Sequence, residues 1–188
     1  MRGQLYILGV SHPLQCGSSD SSTAHIDAFE KTLRSICNSY NIRCIAEEMN
    51  QEGLSKHKVV GTVAEKLAKL LGVGHHYVDL TSKERAQFSL GESALIKVAT
   101  HIGFKDGGSA FRSAFDETLN EIRERCWSAR ILANQKWPTL FICGSNHSQN
   151  MYDLWSRFGL SAVVVHKDYK PEPLRSSGPP SASAERQR

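Results

Sequence analysis

Two apolar runs, each closing on a glycine and then on a histidine, constrain this chain more than any other feature. Leu5-Tyr6-Ile7-Leu8-Gly9-Val10 leads into Ser11-His12, and Leu140-Phe141-Ile142-Cys143-Gly144 leads into Ser145-Asn146-His147. Side chains alternate across a strand, so a run that is apolar at every position is covered on both faces. Such strands belong in the middle of a parallel sheet with helices on either side.

The rest of the chain supplies those helices. Ile26, Phe29, Leu33 and Ile36 fall on one face of a helix over 24–40, with Ser22 or Thr23 as its cap. A short strand at 43–46 runs into Glu47-Glu48. Residues 51–60 read as a mobile polar connection, 63–71 as a helix stopped by Gly72 and Gly74, and 76–80 as a third strand carrying Asp79 near its end. Over 109–133, Phe111, Phe115, Leu119, Ile122, Cys126, Ala129 and Ala133 follow the three-four repeat of a long amphipathic helix, with Arg123, Trp127 and Arg130 on the adjoining row. A last strand, 160–165, ends at His166.

Strands alternating with helices predict an α/β fold of three layers, a mostly parallel sheet with helices on both faces, in a single domain over 1–168. Residues 81–108, with four glycines, read as an insertion or lid. The tail 169–188, rich in Pro, Ser and charge, is expected to be disordered.

Parallel strands place all their carboxyl ends on one edge, where open α/β sheets bind ligands. That edge is predicted to carry His12, Glu47 or Glu48, Asp79, His147 and His166. Imidazoles with a carboxylate suit zinc, manganese or a related divalent ion, and a metal-bound water ionises near neutral pH. His12, Glu47 and His147 are the candidate ligands; Glu47, Glu48, Arg123 and His147 are the candidate catalytic residues. Glu47 and Glu48 point to opposite faces if the strand continues through them, so one of the two faces the crevice. Arg123 either holds a substrate anion or makes a surface ion pair among Glu121, Glu124 and Arg125. Asp79 with Arg85 reads as a structural pair, and His25, His57, His75 and His101 have no organising context.

Composition excludes several classes. A formal net charge of +4, part of it in the tail, comes without a basic stripe interleaved with aromatics, which argues against nucleic acid as a partner. The five cysteines form an odd set with no CxxC pair, expected of a reduced cytoplasmic protein. No run is long enough to span a membrane. The first turn has no glycine-rich phosphate fingerprint. Cys143 lies inside an apolar run, which favours an inert thiol, and Ser145 lacks the second glycine of a nucleophile elbow.

Leu8-Gly9-Val10-Ser11-His12, Ala46-Glu47-Glu48, Arg123-Glu124-Arg125-Cys126-Trp127-Ser128-Ala129-Arg130-Ile131 and Gly144-Ser145-Asn146-His147 follow one another in a known order. The chain resembles the superfamily of TraB pheromone-shutdown proteins, Tiki proteases, erythromycin esterases and ChaN. That pattern has a Gly-x-x-His at the end of strand one, Glu at strand two, an Arg-Asp/Glu-x-x-Met-Ala-x-x-Ile helix and a late Gly-x-x-His. Trp127 stands where the pattern has Met. The resemblance implies a metal-dependent hydrolase acting on a small-molecule or peptide substrate, with the strand-two acid directly at the strand end. The alternative from a different class is a non-catalytic small-molecule-binding or sensing protein on the same fold.

Overall fold

The computed structural model describes residues 3–18, 21–87 and 109–171, with side chains from 116 onward in the last segment. Five strands form one all-parallel sheet in the order β3-β2-β4-β1-β5. They are β1 (Gln4–Val10), β2 (Cys44–Glu47), β3 (Gly74–Tyr77), β4 (Thr139–Gly144) and β5 (Ser161–His166). The helices are α1 (His12–Cys16), α2 (Thr23–Ser39), α3 (Gln51–Lys56), α4 (Val63–Leu71), α5 (Ser82–Gln87), α6 (Ser109–Asn134) and α7 (Ser148–Arg157). The three-layer α/β architecture matches the expectation from sequence. Among the described residues no helix is long and apolar enough to cross a membrane.

The two apolar runs, β1 and β4, lie side by side near the centre, paired from Leu5↔Thr139 to Val10↔Gly144. Each sheet face has its own core. Leu8, Val10, Ile45, Leu140 and Ile142 pack under α2 and α4 with Phe29, Leu33 and Leu67. Leu5, Ile7, Ala46, Phe141 and Cys143 pack under α6 and α7 with Trp127, Ile131, Met151 and Trp155. Connections leave β1 and β2 over the first face and β3 and β4 over the second. This divergence opens a crevice at the carboxyl ends of the central strands.

Local signals set the ends of these elements. Ser22 accepts from the His25 N–H at 3.2 Å to start α2, and Thr62 accepts from the Glu65 N–H at 3.0 Å to start α4. Gly72, at φ 67°, closes α4 in the left-handed conformation that glycine adopts without cost.

Several expected boundaries move. The polar stretch after Glu48 contains α3, begun by Asn50, whose side chain accepts from Gly53 N–H at 2.8 Å; buried Leu54 is its one apolar anchor. Between β1 and α2 the chain forms α1, which has Pro at its start and a left-handed Gly17 at its end. The third strand lies toward Gly74, because pairing with Cys44–Glu47 fixes its register. In α6 the buried row is Glu124, Trp127, Ser128 and Ile131, whereas Ala129 and Ala133 are exposed. Buried Ser128 accepts from Trp155 Nε1 at 2.9 Å, and Glu124 belongs to the site below. The expected stripe was therefore rotated on the helix: two polar residues occupy core-facing positions with partners. Tyr169, grouped with the tail on composition, packs on Phe29 and donates its N–H to Gly9 O at 2.7 Å. The rest of the expected lid, 88–108, and the rest of the tail, 172–188, lie outside the described residues.

Gly9 is required by the backbone that crosses it. A Cβ at this position would lie 2.0 Å from the Lys167 carbonyl oxygen. Gly9→Ala is expected to cost at least about 1–3 kcal/mol. Thermal denaturation should show this as a fall of about 2–4 °C in Tm for each kcal/mol.

Candidate functional site

The carboxyl edge holds a cleft of about 620 Å³, lined on its floor by Glu48, Asp79, Arg123 and His147 and at its rim by His12, Asn146, Lys56 and Arg85. Each side chain is placed by the end of an element. His12 is the first residue of α1, one residue beyond the end of β1, and His147 precedes α7 after the tight turn closed by His147 N–H donating to Gly144 O at 2.9 Å. His147 occupies the cap position of α7 without capping it, so its ring is free for other partners.

Pleat alternation decides between the two glutamates. Ile45 belongs to the α2/α4 core and Ala46 to the α6/α7 core. Glu47 follows Ile45, and Glu48 follows Ala46 into the cleft. Glu47 is fully buried on the other face, accepting from Gln15 Nε2 at 2.8 Å and Thr62 Oγ1 at 2.5 Å, and its Oε1 lies 2.7 Å from His75 Nε2. The expectation that Glu47 is the crevice acid is corrected: both its oxygens are held on the far side, and Glu48 faces the crevice. His75, which had no context in the sequence, is one of Glu47's partners, and His57 lines the cleft wall.

Glu48 is the hub of the floor. Its Oε1 accepts from Arg123 Nη2 at 2.7 Å and its Oε2 accepts from Gly144 N–H at 2.7 Å. His147 Nε2 and His12 Nε2 stand 3.7 and 3.9 Å from the same Oε1. Gly144 leaves room for this arrangement, since a Cβ there would stand 2.9 Å from Asn146 Oδ1 and 3.4 Å from Glu48 Oε2.

Arg123 is a floor residue. Beyond Glu48, its Nε and Nη2 donate to Asp79 Oδ1 at 3.2 Å each, and its guanidinium lies 4.7 Å over the Trp127 ring. Asp79 also accepts from Trp127 Nε1 at 3.0 Å and from Arg85 Nη2 at 2.6 Å. Asp79 thus makes the expected pair with Arg85 and at the same time anchors Arg123. Arg130, two turns beyond Arg123 on α6, donates to the Val78 and Asp79 carbonyls and to Glu84, which ties α6 to the end of β3.

Glu124, read in the sequence as one of several surface charges, is buried, and its Oε1 lies 2.7 Å from His147 Nδ1. Asn150 Nδ2 donates to the same oxygen at 3.2 Å. The Trp127 ring meets His147 edge-on at 5.0 Å between centroids. Adjacent residues of α6 therefore serve the two poles of the site, Arg123 the carboxylates and Glu124 the histidine. A carboxylate accepts, so the Nδ1 that faces Glu124 carries the proton and Nε2 is turned to the cleft.

His166 takes no part; it closes the edge strand and packs against Tyr169. Cys143 is fully enclosed, and burial, then the charges of Glu48 and Glu124, push its thiol well above the ordinary range, so it is not a nucleophile. Cys126 is the one cysteine among the five that is not buried. A maleimide is therefore expected to label Cys126 alone in the native protein, read by mass spectrometry of peptides.

The predicted metal ligands meet only in part. Around a tetrahedral ion with bonds of about 2.0–2.2 Å, neighbouring donor atoms stand roughly 3.3–3.6 Å apart. Here the two imidazole-to-carboxylate separations are wider, and the single carboxylate oxygen they share already binds a guanidinium. Among the described residues no three His, Cys, Asp or Glu side chains are grouped to hold an ion. Of the three predicted ligands, Glu47 lies on the other face of the sheet, and Glu48 stands in its place between His12 and His147.

Comparison with protein-family models, with curated proteins and with solved structures gives no significant match.

Proposed function

We propose that the chain is a hydrolase of small polar esters or amides in which His147, held by Glu124, is the general base. The observation that carries this reading is the buried 2.7 Å contact between His147 Nδ1 and Glu124, which turns Nε2 toward Glu48 and the cleft. A histidine oriented by a buried carboxylate is an arrangement that suits proton transfer from water. The cleft volume falls in the range of small-molecule sites.

A water between the two Nε2 atoms loses its proton to His147 as its oxygen attacks the carbonyl carbon. Glu48, 3.7 Å from Nε2, offsets the charge of the imidazolium that forms. Arg123 meets the negative charge that develops on the carbonyl oxygen. When the tetrahedral intermediate collapses, the C–O or C–N bond breaks and His147 returns the proton to the departing oxygen or nitrogen. The products are a carboxylic acid and an alcohol or amine.

The test is turnover of a panel of fluorogenic esters and short peptides. His147→Ala should lower kcat/KM on any active substrate by about 10²–10⁴-fold. Dialysis against a chelator should leave the rate unchanged. Loss of activity on chelation, restored by zinc or manganese, would overturn the metal-free mechanism. Binding in the cleft with no turnover would overturn the hydrolase and favour a binding protein.

A further inference from the structure

The geometry points to Gln15 and Glu47 as positioning residues that set the His12 ring from the far side of the sheet. The inference rests on the cleft being the reaction site, and it gives fully buried Glu47 a part in that site without contact to substrate. Glu47 spends its Oε2 on Gln15 Nε2 at 2.8 Å. Gln15 is itself fully buried, one helical turn after His12, and its Oε1 lies 3.4 Å from His12 Nδ1.

The order of donors and acceptors along this path is forced. An ionised carboxylate only accepts, so Gln15 must present its amide N–H to Glu47 and its carbonyl to His12. That carbonyl only accepts, so the neutral His12 ring carries its proton on Nδ1 and leaves the Nε2 lone pair facing Glu48 Oε1, 3.9 Å away. Thr62 and the ring of His75 fix Glu47 in turn. His12 needs such a hold because its side chain is 46 % exposed, whereas His147 is gripped directly by Glu124. The two histidines thus arrive in the same sense, Nδ1 tied back and Nε2 forward. One is set by a carboxylate on α6 and the other by a buried carboxylate acting through an amide. His12 Nε2 then accepts a hydrogen bond from the attacking water and aims its second proton at His147.

The experiment is two-bond ¹⁵N–¹H correlation of the histidine rings in the full chain at about pH 8, where neutral imidazole predominates. In the wild type His12 should show the Nδ1–H tautomer. Glu47→Gln keeps the shape of the buried side chain, supplies an amide donor and lets Gln15 turn over, so His12 should move to Nε2–H. Gln15→Leu should release His12 to a tautomer mixture; if that variant fails to fold, Glu47→Gln alone decides. On an active substrate both should lower kcat by up to about 100-fold with little change in KM. A wild-type His12 in the Nε2–H form, or a tautomer indifferent to Glu47→Gln, overturns the inference. The expected tautomers with no turnover on any substrate overturn the hydrolase and leave the positioning relay standing.

Discussion

Arg123→Met is expected to destabilise the protein by about 3–5 kcal/mol, the cost of breaking a buried ion pair from one side. The guanidinium is the bridge between two acids on different strand ends, Glu48 after β2 and Asp79 after β3. Both acids are buried, at 3 % and 8 % exposure, and the arginine side chain itself is only 14 % exposed. Methionine fills the space over Trp127 but leaves Glu48 with a direct hydrogen bond from Gly144 N–H and the more distant rings of His12 and His147, and Asp79 with Arg85 and the indole N–H. Arg123→Lys should recover little, because a single ammonium does not reproduce the planar fork that spans both carboxylates. Adding Glu48→Gln to Arg123→Met should restore part of the loss, since the unpaired charge is then gone. Urea unfolding of the four proteins checks this. A cost below about 1 kcal/mol for Arg123→Met would place the pair with ordinary surface salt bridges and contradict its role as the floor of the cleft.

Glu124→Gln should act in the opposite way, with a small effect on folding and a large one on turnover. The amide is close in size to the carboxylate and keeps one oxygen for Asn150 and His147. His147 Nδ1–H and Asn150 Nδ2 share one oxygen, so the amide keeps the ring oriented but removes the negative charge that balances the imidazolium formed when His147 takes a proton from water. We expect kcat to fall by about 10²–10⁴-fold, the range for loss of general base catalysis, while the thermal midpoint moves by only a few degrees. Rates on an active ester and a thermal scan of the same sample separate the two effects.

The central architecture was legible because β1 and β4 are apolar at positions of both faces, and only interior strands tolerate that. The meeting of His12 and His147 was legible for the same reason: parallel neighbours end together. The choice between Glu47 and Glu48 was not. Alternation states that the two diverge, but which side faces the cleft depends on α6 covering the face of Ala46, a tertiary fact. Glu124 and Ser128 were hidden by their polarity, because periodicity assigns charged and hydroxyl side chains to the wet face of a helix. Their burial follows from partners 23 and 27 residues away, His147 and Trp155. The short helices α1 and α3 went unread because each buries too few apolar residues to show a period, and caps and prolines define them instead.

The central claim is that His147 and Glu124 work as one unit on a water in the cleft. A double-mutant cycle on kcat/KM with Glu124→Gln, His147→Ala and the combined variant tests it most directly. Groups that act as a unit are not additive, so the combined variant should be no slower than His147→Ala alone. Losses that simply multiply would show that Glu124 and His147 act independently and would contradict the account.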